Sequence, residues 1–89
     1  MAMIHLTIVT PEGKFYDGDA QRVMVRTTGG DVAILPHHID YSAALTELGQ
    51  ARVTEADGKV RPGEVQGGLL HVSNDNVQLI TNHFRWKDE

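Results

Sequence analysis

Apolar and polar residues alternate along most of this chain. Ile4, Leu6 and Ile8 are separated by His5 and Thr7, the period of two that places one side of a strand in a core and the other in solvent. Thr10-Pro11-Glu12-Gly13-Lys14 reads as a turn, because proline presets φ and glycine permits the reversal. Phe15 and Tyr16 resume a short apolar segment that Gly18 is expected to interrupt. Val23, Val25 and Thr27 then alternate with Arg22, Met24 and Arg26. Gly29-Gly30-Asp31 predicts a further turn, and Val32 to Leu35 a short, wholly apolar strand that Pro36 stops, since proline cannot donate to a ladder.

The second half repeats this rhythm. His37 to Tyr41 is expected to be loop, and Ser42 to Leu48 is compatible with either a helical turn or a strand. Ala51, Val53 and Glu55 lead into Asp57-Gly58, a hairpin signal, with Val60 beginning the return strand and Pro62-Gly63 expected to interrupt it. Gly67-Gly68 is expected to be a bulge or a close backbone approach. Leu69 to Val72 and the alternating Val77, Leu79 and Thr81 flank an Asn74-Asp75-Asn76 turn. Residues 83–89 read as linker, polar around Phe84 and Trp86. Short strands with turn residues at regular spacing predict an all-β fold, a small antiparallel β-sandwich of about eight to ten short strands over residues 1–82.

Composition narrows the function classes. With 89 residues the chain holds one small domain with a thin core. There is no cysteine, which removes disulfides, thiolate metal sites and a cysteine nucleophile, and points to a reducing compartment. The net charge of −4, with Lys and Arg scattered, argues against nucleic acid as a partner. No apolar run reaches the roughly 20 residues that span a bilayer, so direct membrane insertion is not expected.

Three constellations carry possible chemistry, and each has a plainer reading. His37 and His38, with Asp31 and Asp40 nearby, suggest a metal loop. Adjacent side chains in extended backbone point to opposite sides, however, and a catalytic zinc site needs a third ligand in a shaped cavity, so no metal is expected. The glycine pairs lack the lysine and following helix of a phosphate loop. Asp17 and Asp19, around Gly18, read as solvated loop carboxylates, and no serine sits in a glycine-flanked elbow. A catalytic site and a cofactor are therefore not expected, and surface recognition is. The competing readings are an adaptor or ligand-binding module and a minimal metal-dependent barrel.

Four segments in order resemble the epsilon subunit of F-type ATP synthases. They are Leu6-Thr7-Ile8-Val9-Thr10-Pro11-Glu12-Gly13 with Tyr16 and Gly18; Gly30-Asp31-Val32-Ala33-Ile34-Leu35-Pro36-His37-His38; Leu48-Gly49 with Arg52-Val53; and Val65-Gln66-Gly67-Gly68-Leu69-Leu70-His71-Val72 followed by Val77-Gln78-Leu79-Ile80. Ala33, Asp40-Tyr41, Leu69 and His71 depart from the family's usual residues. The resemblance implies a β-sandwich of the central-stalk rotor that binds the gamma subunit and the c ring and couples ion translocation to ATP synthesis or hydrolysis. The alpha and beta subunits would be reached only indirectly, and the chemistry would lie in them. It implies c-ring contacts at Asp31 and Gly30, gamma contacts at Thr10 and His38, and a loop shaped by Ile34, Leu35 and Pro36, with Ile34 and Leu35 also expected in the core. It implies a peripheral place on the cytoplasmic side of a bacterial plasma membrane, through the complex, with thylakoid or inner mitochondrial membranes left open. The family's C-terminal helical hairpin, with its inhibitory role and ATP site, is not among these 89 residues, whose ending resembles the linker before it, as in a single domain or a naturally short subunit.

Overall fold

A computed structural model describes residues 2–37 and 40–87 of the chain. Nine strands form in chain order: β1 (Ile4–Thr10), β2 (Gly13–Thr27), β3 (Gly30–Ile34), β4 (Tyr41–Ala44), β5 (Gly49–Glu55), β6 (Val60–Val65), β7 (Leu69–Ser73), β8 (Asn76–Ile80) and β9 (Phe84–Trp86). The stretch 42–48 resolves as strand β4 and a bridge at Leu45 rather than a helical turn.

Hydrogen bonds link the strands in the order β4-β7-β8-β1-β2-β5-β6-β9, with β3 on the other side of β2. All pairs are antiparallel except β1 with β8.

Strand β2 belongs to both layers of the sandwich. Its first half pairs with β1, from Gly13 to Ala20, and its second half pairs with β5 on one side and β3 on the other, from Ala20 to Thr27. Fifteen residues at roughly 3.3 Å per residue make a contour of about 46 Å between its ends. The longest dimension of the domain is 32 Å, so β2 has to bend. The register shift between Ala20 and Arg22 marks the bend, as a bulge does. Gly18 therefore does not interrupt the strand: it pairs with Leu6 inside it.

The first layer is β4-β7-β8-β1 with the first half of β2, and the second is β3, the rest of β2, β5, β6 and β9. Ile4, Leu6, Ile8, Leu70, Val72, Val77 and Leu79 of the first layer share one core with Val23, Val25, Ile34, Ala51, Val53 and Val65 of the second. Each of the valine, leucine and isoleucine side chains removed from water contributes about 1.5–3 kcal/mol, which fixes the two layers face to face.

Two expectations are corrected here. Residues 83–89 do not all behave as linker: Phe84 and Trp86 are buried in β9, which pairs with β6 from Gly63 to Val65. Phe84 stacks edge-on against Trp86 with ring centroids 4.8 Å apart, Tyr16 of β2 meets Trp86 at 6.1 Å, and the Arg61 guanidinium lies 3.9 Å above the indole. Pairs of this kind add to area burial, so a three-residue strand suffices to close the edge. Likewise Pro62-Gly63 does not break β6. Pro62 accepts from the Lys87 amide, and a Cβ at Gly63 would stand 2.6 Å from the Phe84 ring. The glycine is where the aromatic ring seats.

Candidate functional site

Two hairpins at opposite ends of β2 carry most of the residues that the sequence marks for recognition. They are built alike. In the first, Thr10 pairs with Gly13, and the buried Thr10 hydroxyl donates to the Gly13 carbonyl at 3.3 Å and accepts the Glu12 amide at 3.1 Å. In the second, Thr27 pairs with Gly30, and its hydroxyl donates to the Gly30 carbonyl at 2.8 Å and accepts the Gly29 amide at 3.1 Å. Gly13 and Gly30 have φ of 138° and 119°, which other residues rarely adopt. A Thr-x-x-Gly sequence is thus a complete local instruction for each turn.

The surfaces around the two hairpins differ. At the first, Thr10 lines an apolar hollow of about 360 Å³ with Val9, Pro11, Gly68, Leu69 and Ile80. Leu69 faces Ile80 across β7 and β8, and Ile80 pairs with Val9 across β8 and β1. Leu69 and Ile80 are 42% and 47% exposed, enough to form a contiguous apolar surface rather than scattered side chains. Gly68 closes the hollow. A Cβ there would collide with the Ile80 carbonyl oxygen, so the chain's approach requires glycine, as expected of Gly67-Gly68. The buried Thr81 hydroxyl donates to the Gly67 carbonyl at 2.7 Å and holds that turn.

At the second hairpin, Asp31 is exposed and Arg26 Nε donates to its Oδ1 at 3.0 Å. The two residues are cross-strand partners. They sit at the end of a groove of about 460 Å³ lined by Met24, Arg26, Asp31, Leu48, Gln50 and Arg52.

The loop after β3 departs from expectation in one respect. Ile34 is fully buried, but Leu35 is 48% exposed and does not join the core, because alternation carries it to the opposite side of the strand. Pro36 is half-buried and ends the ladder. The His37 amide donates to Asp75 Oδ1 at 2.6 Å, and the Asn74 amide donates to Asp40 Oδ1 at 3.3 Å, so two aspartates tie this loop to the β7–β8 turn. Asn74 and Asp75 both have positive φ there, the geometry of a tight hairpin turn. His38 lies outside the described residues, and so do its contacts. The sequence reading did not single out Asp75 as a clamp. Its only signal was membership of the Asn74-Asp75-Asn76 turn.

Other polar clusters are structural. Asp17 is bonded by Lys14 Nζ at 3.0 Å and by His5 Nε2 at 2.7 Å, and the Lys14 hydrogen bond, then that of His5, holds its carboxyl below the usual carboxylate range. Asp17 and Asp19 are strand residues rather than loop residues. Among the described residues no group of three or more His, Cys, Asp or Glu is arranged to hold a metal ion. No helix among them is long and apolar enough to cross a membrane.

Comparison with known proteins places this geometry. The structure superimposes over its whole length on a chain of the Euglena gracilis mitochondrial ATP synthase, in an assembly of OSCP, F1 and c-ring, with a TM-score of 0.91 at 22% identity, covering 56% of that chain. At that identity the likeness establishes the fold. The ATP synthase epsilon chain of Alkalihalophilus pseudofirmus is 40% identical over 80 residues, which is 90% of this chain and 59% of that one. The epsilon chain of Caldanaerobacter subterraneus subsp. tengcongensis is 32% identical over 85 residues, 96% of this chain and 61% of that one. The chain therefore spans about three fifths of the length of these curated relatives. The family described as the β-sandwich domain of the ATP synthase delta/epsilon chain matches residues 3–87, nearly everything from the first strand to the aromatic strand that closes the sandwich, and this chain belongs to that family.

Proposed function

We propose that this chain is the sandwich part of the central-stalk rotor of an F-type ATP synthase, binding the gamma subunit and the c ring and passing torque between ion translocation and the catalytic head. Family membership across residues 3–87 carries the reading. The chain makes and breaks no bonds itself in this role. It sits at the membrane through the complex, on the cytoplasmic side in a bacterium.

The two ends of β2 supply two separate surfaces, as two different partners require. The apolar hollow beside Thr10 suits gamma, with His38 as a further gamma contact. Because the Thr10 hydroxyl is committed to its own turn, Thr10 contributes through the surface it shapes rather than through a free polar group. Asp31 and Gly30 at the other end suit the c ring. An exposed pair such as Arg26–Asp31 is worth about 0–1 kcal/mol, so Asp31 can exchange Arg26 for a basic group on a partner at little cost.

Binding to a purified gamma subunit, or to a catalytic complex lacking this chain, tests the reading. Saturable one-to-one binding that Ile80→Glu or His38→Ala weakens supports it. Absence of binding at tens of micromolar by a folded protein overturns it. Asp31→Lys is expected to weaken attachment to the c ring while the melting temperature of the isolated domain changes little. Unimpaired coupling of ion flow to ATP synthesis in that variant removes Asp31 from the contact.

A further inference from the structure

The outer face of the second layer carries a charge imbalance that the fold does not use. Along β2, Arg22, Met24 and Arg26 point away from the core between the buried Val23 and Val25. On the neighbouring strand β5, Arg52 points the same way between the buried Ala51 and Val53, directly across from Met24. Three guanidinium groups therefore share one face of two adjacent strands, in a chain whose net charge is −4. Like charges gathered on one sheet face repel, so the face favours an anion that approaches it.

Among the described residues, one carboxylate pairs with these three arginines. Asp31 pairs with Arg26, while among the described residues Arg22 and Arg52 have no carboxylate within ion-pair distance. Glu64, on the far side of β5, is engaged by Arg85, whose hydrogen bond holds the Glu64 carboxyl below the usual range. It is thus ionised and already partnered.

The same groove offers apolar contact. Leu48 stands on its rim at 81% exposure, the most exposed large apolar residue among those described, and Met24 forms its floor between Ala33 and Arg52. Arginine and methionine around an exposed aliphatic residue match the composition of protein interfaces, in which charged rims surround an apolar anchor. Arginine forks also fit carboxylates two bonds at a time.

We propose that this groove docks an acidic peptide segment of a protein partner, with carboxylates on Arg52 in the groove and on Arg22 beyond it on the same face, and one apolar side chain packed on Leu48 and Met24. The shape favours a peptide over a small anion. The groove is open along its length, and the leucine on its rim gains nothing from a phosphate or a di-acid. This surface is distinct from the apolar hollow beside Thr10, and it shares Asp31 and Arg26 with the proposed c-ring contact.

The test uses the whole chain and a short synthetic peptide of alternating glutamate and serine with one central leucine, followed by amide chemical shifts. The expected result is saturable binding that moves the amides of residues 22–26 and 48–52. Arg52→Gln should weaken it about two- to fivefold, as losing an exposed charge pair does. Leu48→Ser should weaken it by a smaller factor, and the glutamine version of the peptide should not bind. Raised salt should weaken binding but not abolish the Leu48 contribution. Absence of saturation up to about 1 mM peptide overturns the proposal. So does binding that is indifferent to Arg52→Gln in a variant whose spectrum shows an intact fold. Pyrophosphate that displaces the peptide and binds as tightly, with no effect of Leu48→Ser, would make this a small-anion site and overturn the peptide assignment.

Discussion

The hairpins at the two ends of β2 are local copies of one another, and their surroundings are opposites. Thr10 and Thr27 make the same pair of hydrogen bonds within four residues of chain. Around the first, β1, β7 and β8 bring together Val9, Leu69 and Ile80 as an apolar surface. Around the second, β3 and β5 bring Asp31, Gln50 and Arg52 beside Arg26 as a charged one. Turn geometry is thus written in adjacent residues, while the character of the surface is written by cross-strand neighbours from distant parts of the chain. Two turns of one design can serve unlike partners.

The sharpest way to break this comparison is at Gly68, which belongs to the first surface and has no counterpart at the second. Gly68→Ala forces a Cβ onto the Ile80 carbonyl at a φ of 111°. Strain of both kinds at once is expected to cost about 3 kcal/mol or more, read as a lowered midpoint in chemical denaturation. If the loss stays below about 1 kcal/mol, the close approach is softer than described and the hollow can open.

The next test concerns the likeness itself. Thr10→Val and Thr27→Val each remove a hydroxyl that serves a buried turn, and each is expected to lose about 1–2 kcal/mol. Thr27 should lose more, because its bond to the Gly30 carbonyl is shorter and its side chain lies deeper. Equal denaturation midpoints for Thr27→Val and the unaltered protein would mean that Gly30 alone dictates the turn.

The smallest effect separates the charges near the two hairpins. Asp17, beside the first, should titrate below an ordinary aspartate when its carboxyl carbon is followed by NMR, and Lys14→Ala should raise it more than His5→Ala, since the Lys14 bond is the larger cause. A depressed carboxylate contributes stability that is present above the unfolded value near 3.9 and is lost as pH falls through the folded one. Acid unfolding of the Lys14→Ala variant should accordingly begin at higher pH. No change in Asp17 on removing Lys14 would leave His5 as its principal partner.

How far the fold was legible follows from the same division. Ile4-Leu6-Ile8, Val23-Val25 and Val77-Leu79 alternate, and each falls inside as alternation requires. The family was readable as well, because its segments are contiguous and mostly turns or core strands. The misreadings occurred where a residue's meaning depends on something distant. Gly18 and Pro62-Gly63 look like breaks, yet one is held in the ladder by Leu6 and the other seats the Phe84 ring. Phe84 and Trp86 sit in a polar stretch, and only β6, Tyr16 and Arg61 make them core. Leu35 looks like the end of an apolar run and faces outward instead, by parity. Of the candidate site, Asp31 and Thr10 were visible by resemblance. The Arg22–Arg26–Arg52 face was not, since arginines spread over thirty positions gather only when β2 and β5 pair.

Strand β2 has one consequence for load. Both hairpins are its termini, so a force applied at one and resisted at the other runs along a single covalent backbone through both layers. Within each half the ladder bonds stand perpendicular to the strand and tie it to its neighbours. Because β2 bends between Ala20 and Arg22 as it passes from one layer to the other, a partner that holds either tip engages both layers through one chain.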